Sequence, residues 1–213
     1  MFKRKVEKHQ EETFSGLESA REFAEGAEKS IIRYRAFLDT LKTLDIQGNY
    51  LDVGAGAGNL AAIIAQRDPN VAITALEISD DMITVGEELV REKGVQDQIN
   101  FIQGDAVDRE TLQKLGEFDL IYTTYVLHHW DNPREVIKNL MSILSPNGIL
   151  YLYDLRRVWW LYWIPSDSGF IKSVRASYVQ DEVEEILDGF EVERLEIKNE
   201  FPFMQSIIIK KSS

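Results

Sequence analysis

The chain has 213 residues, enough for one α/β domain, and 44% of them are hydrophobic, enough for a packed core. Its formal charge of −12 disfavours nucleic acid, which is bound by basic surfaces, and suits a neutral or cationic small molecule. There is no cysteine, so disulfides and thiolate metal sites are excluded, and no apolar run approaches a membrane span.

Residues 1 to about 28 are highly charged, with Phe14, Leu17 and Phe23 as apolar anchors. They read as a helical or mobile cap over a ligand pocket. Basic residues at the start have no apolar stretch behind them, so the segment is not a secretory signal, and we expect a cytoplasmic protein. Tyr34, Leu38 and Leu41 then follow a helical period up to Asp45-Ile46-Gln47-Gly48, and this helix carries Arg33, Tyr34 and Arg35. Beyond it, apolar runs near 49–54, 71–77, 99–103, 118–124 and 148–154 alternate with amphipathic stretches near 58–67, 80–93, 107–115 and 132–144. That alternation predicts parallel strands with crossover helices on both faces. Ser79 can cap the second of these helices, and Asn132-Pro133 with Glu135 reads as cap, first-turn proline and box partner for the fourth. Ser145-Pro146-Asn147-Gly148 reads as the turn into the fifth strand. Residues 155–177 read as loop and 178–188 as a short helix. The runs 190–198 and 203–210 read as strands joined through Asn199-Glu200-Phe201-Pro202, so one terminal strand must run antiparallel to the rest.

The first strand breaks in Asp52-Val53-Gly54-Ala55-Gly56-Ala57-Gly58. Alternating glycines allow a tight strand-to-helix turn and clear space for a ligand. Turn amides and the following helix N-terminus are expected to face that ligand. A dinucleotide site prefers G-x-G-x-x-G, but its third glycine position here is Asn59. Glu77 ends the second strand, where a carboxylate can accept both hydroxyls of an adenosyl ribose, and Ile78 and Met82 would flank the adenine. Asp105, directly after the third strand, can accept from an adenine amino group or serve as a helix cap.

Asp52 to Gly58, Glu77, Gly104-Asp105-Ala106, Phe118-Asp119 through Leu127-His128-His129, and Leu144 to Gly148 occur in the order and spacing of the class I S-adenosylmethionine-dependent methyltransferases. Over about residues 30–155 the chain resembles the branch that includes the ubiquinone/menaquinone C-methyltransferases. The resemblance implies a Rossmann-like, seven-stranded, mostly parallel sheet with helices on both faces and an antiparallel C-terminal strand. It implies one domain, with a cap over 1–45, a cofactor-binding core over 46–154, a substrate-side insertion over 155–177, and a last helix and hairpin over 178–213. It further implies S-adenosyl-L-methionine as cofactor and no metal. Asp52, Gly54 and Gly56 would line the methionine end and Glu77 the ribose. Asp105 and Ala106 would meet the adenine, with Tyr122 and Thr123 bordering the methionyl group.

Acceptor chemistry is less determined. His128 and His129 can serve as a general base, because imidazole titrates near neutrality, or can be structural. Arg156 to Pro165 contains Trp159, Trp160 and Trp163, a concentration of indoles that suits an apolar or aromatic acceptor, a transient membrane-surface contact or a dimer contact. Arg175, which suits an acceptor carboxylate or phosphate, and Tyr178 could face the same pocket. The expected activity is methyl transfer to a small apolar or aromatic acceptor by a monomer or homodimer. The alternatives are a non-catalytic S-adenosylmethionine-binding or regulatory module and an NAD-dependent oxidoreductase.

Overall fold

The computed structural model describes residues 3–5, 16–29, 31–166 and 168–212. Phe14 and most of the charged N-terminal segment lie outside them. The described part begins with helix α1 (Leu17–Lys29), a 3-10 turn (Ile31–Tyr34) and α2 (Arg35–Leu44). Strands and helices then alternate as β1 (Asn49–Val53), α3 (Asn59–Arg67), β2 (Ala72–Glu77), α4 (Asp80–Glu92), β3 (Ile99–Gln103), α5 (Arg109–Lys114) and β4 (Phe118–Thr124). After them come α6 (Pro133–Ser142), β5 (Leu144–Leu155), α7 (Gly169–Ala176), α8 (Gln180–Leu187), β6 (Val192–Glu200) and β7 (Met204–Lys211).

The seven strands form one sheet in the order β3-β2-β1-β4-β5-β7-β6. β3 to β5 pair in parallel, and β7 runs antiparallel between β5 and β6. Because strand side chains alternate, each face needs its own cover. Tyr50, Leu120, Tyr122, Tyr151 and Tyr153 pack with α2, α3 and α7 on one face, while Leu51, Ile121, Leu150 and Leu152 pack with α5, α6 and α8 on the other. Asp52 shares the first face with Tyr50, two residues away. The strand order reverses between β1 and β4, and the carboxyl ends beside that reversal are where an open α/β sheet leaves a crevice.

The helix caps agree with the sequence. The Ser79 hydroxyl accepts from Met82 N, and the Asn132 side chain accepts from Glu135 N behind Pro133 at the first turn. Elsewhere the sequence reading needs amendment. β5 already begins at Leu144, because Leu144 pairs with Phe118 before the register shifts; Ser145 to Gly148 are an irregularity within the strand rather than a turn before it. Residues 155–177 contain a 3-10 helix (Trp159–Trp163) and α7, held together by Arg175, which donates to the carbonyls of Leu161 at 3.1 Å and Ile164 at 2.7 Å.

Phe37 fixes α2 to the sheet. Its ring is fully buried, lies parallel to Tyr151 at a centroid distance of 4.7 Å, and meets Tyr122 at 5.4 Å. Phe37→Ala should cost about 3–5 kcal/mol in the free energy of unfolding, from lost burial plus the cavity left behind. Denaturant unfolding checks this, and an unchanged midpoint would mean that α2 is not anchored there.

Candidate functional site

At the carboxyl ends of β1, β2 and β4 lies a cleft of about 1350 Å³. Its first wall is the glycine turn. Gly54 and Gly58 have φ of 71° and 69°, and a Cβ on them would lie 2.7 Å from Val126 and from Phe101 respectively. A side chain at either position would be strained in its backbone and would also collide. α1 covers this wall from outside. Phe23 sits against Gly56, Asn59 donates to Ala24 O at 3.2 Å, and Ala20 and Ala24 are buried beside Met82 and Val85.

The turn amides are less open than their spacing suggests. Gly54 N and Ala55 N both donate to Leu76 O, Gly58 N donates to Ala55 O, and Gly56 N donates to the Glu77 carboxylate at 2.8 Å. The other Glu77 oxygen accepts from Ile78 N at 2.9 Å and Ser79 N at 3.0 Å. The position that an anionic ligand would take on this turn is therefore filled by the protein's own carboxylate. Asp52, 2% exposed, lies beside it. Burial pushes the Asp52 carboxyl up to about 7; the Tyr122 hydroxyl opposes that shift and the Glu77 charge adds to it. Two buried carboxylates make this end of the cleft a site for cationic and hydroxyl-bearing groups, and a pyrophosphate would meet repulsion.

The opposite end is aromatic. The rings of Tyr34 and Tyr125 meet at 6.0 Å and those of Tyr125 and Tyr153 at 6.3 Å, both edge to face. Phe170, Phe203 and Met204 close the wall beyond them. Burial pushes the pKa of all three tyrosine hydroxyls up, so they remain neutral donors at physiological pH. Tyr125 holds φ at 63°, a conformation that a bulky residue adopts only when its surroundings fix it; its N–H is tied to Tyr153 O at 3.0 Å.

His128 also borders the cleft. Its ring Nδ1 lies 2.8 Å from Asp154 Oδ1, and its backbone N–H donates to Asp154 Oδ2 at 2.8 Å. Asp154, 1% exposed, also accepts from Leu155 N, so it is oriented from two sides. This pairing puts the proton on Nδ1 and leaves Nε2 as the acceptor nitrogen of a residue that borders the cleft. His129 is exposed, and its ring lies tilted against that of His128 at a centroid distance of 4.1 Å. On the far side, Arg4 donates to His128 O at 2.9 Å and to Ala176 O, and lies over the Tyr178 ring.

Of the residues singled out by sequence, Asp52, Gly54, Gly56, Glu77, Ile78, Met82, His128 and His129 border this one cleft. Asp105 lies just past β3, exposed, and accepts from Val107 N at 3.0 Å, while Asp108 is the side-chain cap of α5. Ala106 is buried against Leu112 rather than lining the cleft. Tyr122 and Thr123 point into the sheet's own layers at 0% and 1% exposure, and Thr124, Tyr125 and Val126 border the cleft instead. Trp159, Trp160 and Trp163 lie outside the cleft lining, Arg175 is spent on carbonyls, and Tyr178 lies beneath Arg4. Sequence reasoning missed Asp154, although an acid closing the apolar run Leu150 to Tyr153 was a signal. It also missed Tyr125, Tyr153 and Phe203, which read as ordinary sheet and turn residues.

Residues 51–150 match the family described as the methyltransferase domain. A Synechococcus protein called syc1184_c is 38% identical over 103 residues, covering 48% of this chain and 24% of its own. The demethylmenaquinone methyltransferase of Porphyromonas gingivalis is 28% identical over 108 residues, covering 50% of this chain and 43% of its own. The chain thus spans less than half the length of these curated relatives. A Methanococcus maripaludis structure, described as an S-adenosyl-L-methionine-dependent methyltransferase, superposes with a TM-score of 0.76 at 18% identity and covers 98% of both chains. The sheet order with its reversed β7 is the fold of that structure, and the segment that matches the methyltransferase domain runs from β1 into β5 and includes the acid-lined glycine turn.

Proposed function

We propose that this chain transfers a methyl group from S-adenosyl-L-methionine to a small acceptor with a planar, apolar body and a protonated nucleophile. One observation carries the reading: a single cleft joins two buried carboxylates at the glycine turn to a wall of tyrosine and phenylalanine rings, with His128 in its lining. When bound, S-adenosyl-L-methionine supplies a methyl group made electrophilic by its sulfonium. Beyond its three backbone donors Glu77 retains one acceptor site, on Oε2, for a ribose hydroxyl, and Asp52 would meet the cationic methionyl end. Ile78 and Met82 bound the adenine side.

The aromatic wall stacks the acceptor and keeps water from the transfer, and edge-to-face rings favour a flat partner. His128 Nε2 takes the proton that the nucleophile loses, and Asp154 holds the imidazole in the required tautomer and stabilises its charged form. Phe170 and Phe203, rather than the tryptophans, form the acceptor side of the segment after β5 and the hairpin. In this reading the domain is one unit, with α1 and α2 as its cap and residues 155–177 as its acceptor-side insertion. The acidic surface favours small molecules over nucleic acid. A monomeric or homodimeric cytoplasmic enzyme completes the proposal.

The function is tested by following labelled methyl from S-adenosyl-L-methionine onto a panel of phenols, catechols, amines and carbon nucleophiles. Cofactor binding with no transfer to any class would leave a binding module. His128→Asn should lower turnover at least about a hundredfold at unchanged cofactor affinity. Normal turnover per folded molecule would make His128 structural.

Calorimetry should show that Glu77→Ala weakens cofactor binding by about 1.5–3 kcal/mol, the scale of charge-assisted hydrogen bonds, while Glu87→Ala at an exposed position of α4 leaves it unchanged. Equal affinities would remove Glu77 from the site.

Asp52 predicts the pH dependence. Its carboxyl rises from 3.8 to about 7 on folding, so its contribution to stability is present below 3.8 and is lost as pH rises through 7. A cationic ligand favours the carboxylate, so cofactor affinity should rise by as much as about eightfold between roughly pH 6 and 7.5, with proton release. Asp52→Asn should flatten both trends; an unchanged slope in that variant would assign them to other groups.

A further inference from the structure

The three tryptophans after β5 are left in the open, on a platform that is not loose. Trp159 is 65% exposed, Trp160 39% and Trp163 72%, while Leu161 between them is 3% exposed and anchors the turn. Arg175 clamps the turn from beneath through the carbonyls of Leu161 and Ile164, and the Tyr162 hydroxyl donates to Lys3 O at 2.8 Å. The apolar surface continues through Ile164 and Phe170. Phe170 meets Phe203 at 5.0 Å, and Phe201, 96% exposed at the hairpin tip, lies beside Phe203 on the rim of the cleft. A soluble protein rarely displays so many large rings in one region unless something covers them.

Charge decides what covers them. The chain carries −12 overall, yet besides the buried Arg157, residues 155–177 hold Arg156, Lys172 and Arg175 against Asp167 alone. The docked N-terminal residues add exposed Lys3 and Lys5, with the Lys5 ammonium 5.7 Å from the Tyr162 ring. Arg157 is buried and paired with Glu182 at 2.6 Å, so that acid is already neutralised. Indole rings beside lysines are the chemistry of a membrane–water interface, where the ring sits at headgroup depth and the cation meets anionic lipid. A second copy fits less well, because a two-fold contact through this face would set the same cations against one another.

We propose that this aromatic and basic rim docks the protein onto an anionic lipid bilayer, with the mouth of the cleft turned toward the headgroups. The inference is independent of which acceptor the cleft takes.

The full chain is mixed with phosphatidylcholine vesicles prepared with and without phosphatidylglycerol, and cosedimentation and tryptophan emission are followed. Three of the four tryptophans lie on the rim and Trp130 is buried, so the emission reports chiefly on the rim. The expected result is a blue shift and partitioning with phosphatidylglycerol only, weakened by salt. Trp159→Ser with Trp163→Ser should reduce partitioning at least about tenfold, and Lys3→Gln and Lys5→Gln about fivefold each. Unchanged melting temperatures show that these exposed positions were altered without unfolding. Weak partitioning that is the same for both vesicle types overturns the proposal. So does a dimer in sedimentation equilibrium that the tryptophan substitutions dissociate, since a second copy would then cover the rim.

Discussion

Glu77 accepts backbone hydrogen bonds from Gly56, Ile78 and Ser79, so one buried side chain ties the glycine turn to the end of β2 and the start of α4. A buried carboxylate without partners would be costly, and these three donors are what allow it to stay. The turn is thereby held at one separation from β2, and its remaining space is left to the ligand. The same bond sets the electrical character of the cleft. With its amide already satisfied by an acid and Asp52 two residues before Gly54, the turn repels phosphate and attracts cations. A glycine-rich turn of this shape could serve either ligand class, and the second carboxylate separates them.

The aromatic end of the cleft depends on a different kind of constraint, the packing of aromatic rings in the layer under α2. Phe37 fills the space between Tyr122, Tyr151 and Tyr153, and this holds α2 in place with Tyr34 at its N-terminus. Tyr34 in turn meets Tyr125, whose strained backbone is tied to β5. Core and pocket are therefore one continuous set of rings. The β5 residues Tyr151 and Tyr153 point to the same face two positions apart, the first in the core and the second at the cleft.

Asp154 points the other way from Tyr153 and fixes His128, so neighbouring residues of one strand serve the aromatic wall and the histidine beside it. The Arg4 contact to the same His128 carbonyl joins the N-terminal residues to this region, beside the platform that presents the tryptophans. At the glycine turn, α1 covers the cleft through Phe23 beside Gly56.

Local sequence determined the elements whose signals are local. Alternating apolar runs and helices gave the parallel core, Ser79 and Asn132-Pro133 gave helix starts, and the spacing from Asp52 through Gly58 to Glu77 gave the ligand turn, because each rests on residues a few positions apart. Only tertiary structure decided how distant residues meet. Asp154 reaches His128 because β5 lies beside β4, Tyr34 reaches Tyr125 because α2 packs across the sheet, and the Gly56 amide is taken by Glu77 because β1 and β2 are neighbours. The tryptophans show the limit most clearly. Their composition announced a recognition surface, but whether they faced the cleft or solvent depended on the Arg175 clamp and on Leu161 turning inward, and side-chain direction in a short 3-10 turn is set by what it packs against.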